Sequence, residues 1–307
     1  MEFGKVYNLN DIDFRLPPEP VGNANFLAKQ GNSENLLHLY IGCTGWGMKE
    51  WVGHVYPKGA KSADFLKYYT QQFNTIEHNT THYRIPTLET VIKWREESTP
   101  DFKFCPKIPQ TISHSRNLGL EGNQIELFCQ AISYLEEKLG ACFLQLPPYF
   151  GPDRIGQLAA FLQQFPSEIP LAVEVRHEAW FNSQDNSERL FELLENQSVG
   201  AVITDVAGRR DVLHLRLTAP FSMVRFVGND LHPSDFHRLE EWIALLKDWQ
   251  IRGLKSMFFF AHEPDNLAAA KAAAWFSKRI KGETTFISRG PILTEDERKD
   301  DGQLSLF

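Results

Sequence analysis

From Leu37 to about Ile280, eight short apolar runs of strand-like composition alternate with amphipathic runs of helical period, and few folds accommodate so many β–α repeats. The strand runs are His38–Thr44, Thr75–Asn79, Phe102–Lys107, Ala141–Leu146, Leu171–Arg176, Ala201–Asp205, Met223–Val227 and Leu254–Ala261. Helical patterns cover Ala63–Phe73, Leu88–Glu97, Glu126–Leu139, Arg154–Phe165, Glu188–Asn196, Pro233–Trp249 and Pro264–Ile280, so that among the strands followed by another only the sixth lacks a helix after it. Strands apolar on both faces belong to parallel sheets, and eight such repeats in roughly 250 residues predict a TIM-like (β/α)8 barrel in a single domain. An open doubly wound sheet is the alternative. It is weakened because neither GxGxxG nor a P-loop follows any strand. The expected organisation is an N-terminal extension over residues 1–36, the barrel over 37–282 and a flexible C-terminal tail over 283–307.

The net charge of -7 is concentrated at the ends. Residues 1–36 hold five acids and three bases and residues 291–307 five acids and two bases, which leaves the middle nearly neutral. That balance argues against a long basic nucleic-acid groove but permits a local anion pocket. The extension contains a Pro-rich stretch, Leu16–Pro20, and an Asn/Gly-rich stretch without sustained period; it is expected to pack on the barrel or to be partly disordered. The start of the chain lacks a basic segment followed by an apolar run, and Cys43, Cys105, Cys129 and Cys142 form no CxxC pair, so a cytoplasmic protein with packed thiols is expected.

Barrel enzymes carry their chemistry at the C-terminal ends of the strands, and here those ends are rich in charge. The stretch LAVEVRHEAWF, Leu171–Phe181, places Glu174 and Arg176 on one face of an otherwise apolar strand. Glu77 and Asn79 end the second strand, Lys107 the third, Gln145 the fourth and Asp205 the sixth, and Arg225 belongs to the seventh. Charges are costly to bury unpaired, so this set is either an internal ion-pair network or a binding site. Read as a site, Lys107, Arg176 and Arg225 clamp a phosphate or carboxylate, with Asn79 and Gln145 as further contacts. Glu77, Glu174 or Asp205 then supplies the general base, and His114 or His177 the acid; His262 is a further local candidate. His78 and His82 flank the turn after Asn79, and His78 has the parity that points it away from the barrel axis. Trp46, Tyr83, Tyr149, Trp180 and Phe181 lie near the same rim and form either a stacking wall or loop packing; Trp46, Tyr83 and Trp180 are the substrate-binding candidates. No cofactor is expected. A divalent metal is disfavoured, because neither HxH nor HExxH spacing occurs and interleaved Lys and Arg repel a cation.

These segments resemble the domain-of-unknown-function-72 family of YecE-like barrels. The likeness rests on IGCTGW at Ile41–Trp46, FNTIEHNTTHYRIP at Phe73–Pro86, KWREESTPDFKFCPKIPQTISH at Lys93–His114, FLQLPPYFGP at Phe143–Pro152 and VEVRHEAWF at Val173–Phe181. It spans residues 37–282 and implies a TIM-like barrel without implying a reaction. Relatives look as though they carry RLHG at strand seven and an Asn pair near the end of strand eight; this chain keeps Arg225 but has Phe259-Phe260-Ala261-His262 in place of that pair.

The tail adds a clue of another kind. The charged run TEDERKDD is followed by Gln303-Leu304-Ser305-Leu306-Phe307, which resembles the pentapeptide by which bacterial replication and repair proteins dock on the DNA sliding clamp. Gln303, Leu304, Leu306 and Phe307 are the expected partner contacts; packing of the tail on its own domain is the competing explanation. Three functions follow: a hydrolase or phosphodiesterase acting on nucleic acid or a nucleotide-like phosphate, a non-catalytic clamp-tethered binding module, or an enzyme of small phosphorylated metabolites.

Overall fold

A computed structural model describes residues 4, 6, 8–31 and 36–294. The elements are α1 Gly22–Gln30, β1 Leu37–Gly42, α2 Phe65–Gln72, β2 Thr75–His78, α3 Leu88–Glu97, β3 Lys103–Pro106, α4 Gln110–Ser113, α5 Gln124–Ser133, β4 Cys142–Gln145, α6 Ile155–Gln164, β5 Leu171–Glu174, α7 Gln184–Asn196, β6 Gly200–Asp205, β7 Phe221–Val227, α8 Pro233–Ile251, β8 Ser256–His262, α9 Asn266–Ile280 and β9 Phe286–Arg289. Each of the eight expected strands is present, all pairings are parallel, and the surrounding helices fall on the amphipathic runs.

Seven strands form one sheet in the order β4-β5-β6-β7-β8-β1-β9, and β2 pairs with β3 in a second. The two sheets complete a TIM-like ring through isolated bonds. Glu77 N–H donates to Cys43 O at 3.0 Å between β2 and the end of β1, and Ile108 N–H donates to Phe143 O at 2.9 Å between β3 and β4. The ladder thins beside β1 because β9 pairs with Leu37–Tyr40 on the edge that faces β2. The Asn74 side chain spans the remaining gap, accepting from Ile41 N–H and donating to Leu39 O. Gly42 is required at this joint, since a Cβ there would stand 2.3 Å from Thr75 O.

Side-chain parity sorts the interior into layers. Phe143, Ala172, Val202, Met223, Phe258 and Phe260 fill the barrel below its mouth, and a larger core lies between strands and helices. The alanine face of α9, buried from Ala268 to Ala274, brings that helix close to β8. All four cysteines are free and buried. No helix among the described residues is long and apolar enough to cross a membrane.

Two segments depart from the expected organisation. Residues 22–30 of the extension form α1, with Phe26 and Leu27 buried and Asn23 bonded to Leu215 O and Leu217 N–H, in the extended segment that follows β6 and the short 3-10 segment Ala207–Val212. Residues 286–289, expected in the tail, form β9, where Arg289 donates to Thr70 O and Phe73 O and pairs with Asp101. The clamp-like residues 303–307 lie outside the described residues.

Candidate functional site

The inward parity of β2, β4, β5, β7 and β8 brings Glu77, Gln145, Glu174, Arg225 and His262 into one layer across the barrel mouth. Arg225 is the centre. Its Nε and Nη2 donate to the two oxygens of Glu77 at 2.9 and 3.0 Å, and its Nη1 donates to Glu174 Oε2 at 2.9 Å. Gln145 Nε2 donates to the same Glu174 oxygen at 2.8 Å, and Arg176 Nε to the other at 2.9 Å. Asn79 Nδ2 donates to Glu77 Oε1 at 2.9 Å. His262 Nε2 lies 2.7 Å from Glu77 Oε2; the carboxylate accepts, so Nε2 carries the hydrogen.

The electrostatics follow from this geometry. Burial opposes ionisation of Glu77, but Arg225 and His262 outweigh it and hold the carboxyl well below the usual carboxylate range. Burial likewise opposes ionisation of Glu174, and Arg225, Arg176 and Gln145 bring it down to about 2. Both carboxylates are therefore ionised and paired at neutral pH, which leaves them little tendency to accept a proton. Two carboxylates face two guanidinium groups, so Lys107 is a surplus cation. It is 8% exposed, and its Nζ donates to Gln145 Oε1 at 2.8 Å; among the described residues no carboxylate comes within ion-pair reach of it. Burial lowers the Lys107 amine to about 8, with Arg225 adding to the effect.

This layer floors an open cavity of about 900 Å³, walled by His82 and Tyr83 after β2, Arg176 after β5, Asn229 and Asp230 after β7, and Glu263 after β8. Gly4, Val6 and Leu9 of the extension close one side. Glu263 escaped the strand-end survey because it follows its strand by one residue. Its Oε2 accepts from Asp230 N–H at 2.7 Å, while its Oε1 is buried without a hydrogen-bond partner. Burial pushes this carboxyl up to about 7, and Asp235 adds to the rise. Gly228 makes room for it, since a Cβ there would fall 1.9 Å from Oε1. Among the described residues no group of three or more His, Cys, Asp and Glu side chains converges as a metal-ligand set.

Other sequence candidates lie elsewhere. Asp205 faces outward, not into the mouth: it pairs with Arg210, accepts from Arg238 Nη1 and Trp242 Nε1 at 2.9 Å each, and is fully buried beneath α8. The inward positions of β6 are Val202 and Thr204, so Asp205, of the opposite parity, faces the helices. Trp180 is fully buried with its Nε1–H donating to Phe150 O at 2.9 Å, which removes it from any stacking wall. His177 Nδ1 accepts from Ala179 N–H at 3.1 Å and caps a short helical turn instead of lining the cavity. Trp46 packs outside the barrel against His78, Trp94 and Phe104. His78 points outward as its parity requires. His114 is exposed on the rim, 5.4 Å from the His82 ring.

Comparison with known proteins agrees with this architecture. UPF0759 protein YecE of Escherichia coli K12 is 34% identical over 245 residues, covering 74% of this chain and 87% of that protein. The same protein from Escherichia coli O157:H7 matches equally. Among solved structures, a DUF72 family protein from Enterococcus faecalis V583 superposes with a TM-score of 0.64 at 19% identity, covering 81% of this chain and 99% of that one. The model of the family described as "Protein of unknown function DUF72" matches residues 40–295, reaching past β9, and the chain belongs to that family.

Proposed function

We propose that the barrel mouth binds a phosphate-bearing or otherwise anionic ligand between Lys107 and Arg176, and that the chain is a hydrolase of nucleic-acid or nucleotide-like phosphoesters. The observation that carries this reading is Lys107, a buried cation with no carboxylate in ion-pair reach among the described residues, on the floor of an open cavity. An anion docking there supplies the missing partner, and its affinity gains from the low dielectric around the amine. Glu77 and Glu174 serve to fix Arg225, Arg176 and His262 in position. The acid–base role passes to Glu263, whose carboxyl titrates near neutrality in the same cavity. In hydrolysis, water attacks phosphorus, the P–O ester bond breaks, the departing oxygen takes the proton of Glu263, and the proton released by the attacking water returns to the Glu263 carboxylate. The terminal Gln303, Leu304, Leu306 and Phe307 supply delivery to DNA through a sliding clamp.

The test is turnover of a chromogenic phosphodiester and of a short phosphorylated oligonucleotide by the full chain and by Glu263→Gln. The reading expects turnover that falls about 100-fold or more in the variant. Binding without turnover in the unmodified chain would make the barrel a binding module and remove the hydrolase from the account. Turnover confined to small phosphorylated sugars or acids would replace nucleic acid as the substrate.

A further inference from the structure

On the β2–β5 side of the mouth the loops carry a continuous rim of rings. Tyr83 is 71% exposed and meets His82 edge-on at 5.6 Å; His82 meets His114 edge-on at 5.4 Å. The hydroxyl of Tyr149, itself 62% exposed, donates to His114 O at 3.4 Å. Tyr83 lines the cavity, and Tyr149, outside its lining, is joined to it through His114 and His82, so that the exposed rings form one surface leading to the mouth.

The same loops are rich in cations. Arg84 and Arg116 are exposed and pair with no carboxylate among the described residues. Arg154 is held over the Phe150 ring at 4.3 Å while donating to Arg116 O at 2.8 Å, which fixes that loop. Of the loop acids, Asp153 and Glu178 sit in the first turns of the short helices after β4 and β5, and Glu121 is exposed in the loop before α5. Burial lowers both His82 and His114, and Lys107 and Arg176 add to the effect, so these rings are neutral at physiological pH and stack as uncharged surfaces. His82 and Tyr83 also line the cavity that Lys107 floors.

We propose that the occupant is the end of a single-stranded nucleic acid, its terminal phosphate at Lys107 and Arg176 and its following bases stacked on Tyr83 and Tyr149. This rests on the anion-pocket reading and names its substrate class. Exposed aromatic faces beside unpaired guanidinium groups suit unstacked bases on a phosphate backbone, whereas a duplex keeps its base faces covered. A mononucleotide would use the floor and at most one ring; the length of the rim selects a strand.

The experiment is fluorescence anisotropy with the full chain and a labelled 5′-phosphorylated single strand of about ten nucleotides, against the same sequence as a duplex. Three variants are compared: Tyr83→Ala/Tyr149→Ala, Tyr83→Phe/Tyr149→Phe and Lys107→Gln. The expected result is tighter binding of the single strand than of the duplex, a loss of about tenfold or more in the alanine pair, and retention in the phenylalanine pair. Both tyrosines are exposed, so the alanine pair is expected to melt with the parent chain, which a thermal scan verifies. Single-strand affinity unchanged in the alanine pair, a preference for duplex, or no binding at all would overturn the proposal. Calorimetry with inorganic phosphate on Lys107→Gln reads the pocket separately: a Lys107-dependent phosphate site with a tyrosine-independent strand sinks the rim and spares the pocket.

Discussion

The barrel holds two buried arginine–carboxylate clusters at strand ends, and they differ in what lies beside them. In the inner one, Arg225 joins Glu77 and Glu174 beneath an open cavity, with Lys107 left over. In the outer one, Arg238 joins Asp205 and Asp235 beneath α8, with Arg210 and Trp242 completing the coordination of Asp205. The outer cluster ties β6 to α8 and borders none of the cavity; the inner one presents an unmatched cation to it. Charge at a strand end therefore does not mark a site. Surplus charge facing a cavity is the ground of the proposed site.

The comparison breaks most visibly at its two arginines. Arg225→Met takes the shared guanidinium from two buried carboxylates and Arg238→Met does the same to Asp205 and Asp235, and each is expected to cost about 3–5 kcal/mol in denaturant unfolding. Equal stability with either variant would remove the claim that these clusters are tightly coupled. The inner carboxylates also set an acid limit. Their folded pKa values are depressed, so their stabilisation is present above the ordinary Glu value of 4.5 and, for Glu174, is lost as pH falls towards about 2. Arg225→Met should flatten stability against pH in that window.

Lys107→Gln should do the reverse of the arginine variants. A lysine whose folded pKa is lowered from 10.5 to about 8 penalises folding below pH 8, and the penalty fades between those values. Unfolding of Lys107→Gln at pH 7 is expected to show a gain of about 1–3 kcal/mol that disappears by about pH 10. A loss at pH 7 would make Lys107 a structural partner and not a surplus cation. Glu263→Gln follows with a smaller effect. Its folded pKa is raised to about 7, so stability relative to acid pH is lost as pH rises through that value. The variant should unfold about 1–2 kcal/mol later than the parent at pH 8.5 and equally at pH 4, after allowance for its partial exposure. Deleting residues 303–307 is expected to move stability by less than about 0.5 kcal/mol while abolishing clamp binding in a pull-down of purified proteins.

Much of the fold was legible because each of the eight barrel strands is an apolar run bounded by turn residues and most of the long helices between them carry a readable period. Three elements were not, the first being α4, whose four residues are too few to show a period. The stretch GNANFLAKQ is weakly amphipathic, and α1 is fixed by what Asn23, Phe26 and Leu27 touch. In β9 only Phe286 is buried, so four residues carried no pattern to read. In the layer at the mouth, parity placed Glu77, Lys107, Gln145, Glu174 and Arg225 inward, whereas His262 was expected there on local grounds alone. Parity was misapplied to Asp205, which has the parity opposite to the inward Val202 and Thr204, and it failed for His177 and Trp180, which follow β5 in a helical turn where the period of two no longer applies. Glu263 was missed for the same reason: it stands past the end of β8, where Pro264 turns the chain and an outward parity becomes a cavity wall.

The central claim is that Lys107 is held ready for an anion, and calorimetric titration with inorganic phosphate from pH 7.5 to 9.5 tests it most directly. The account predicts binding that weakens as pH passes about 8 and is reduced about tenfold or more at pH 7.5 in Lys107→Gln. Binding of equal strength in the variant, or no change across that pH range, would contradict it.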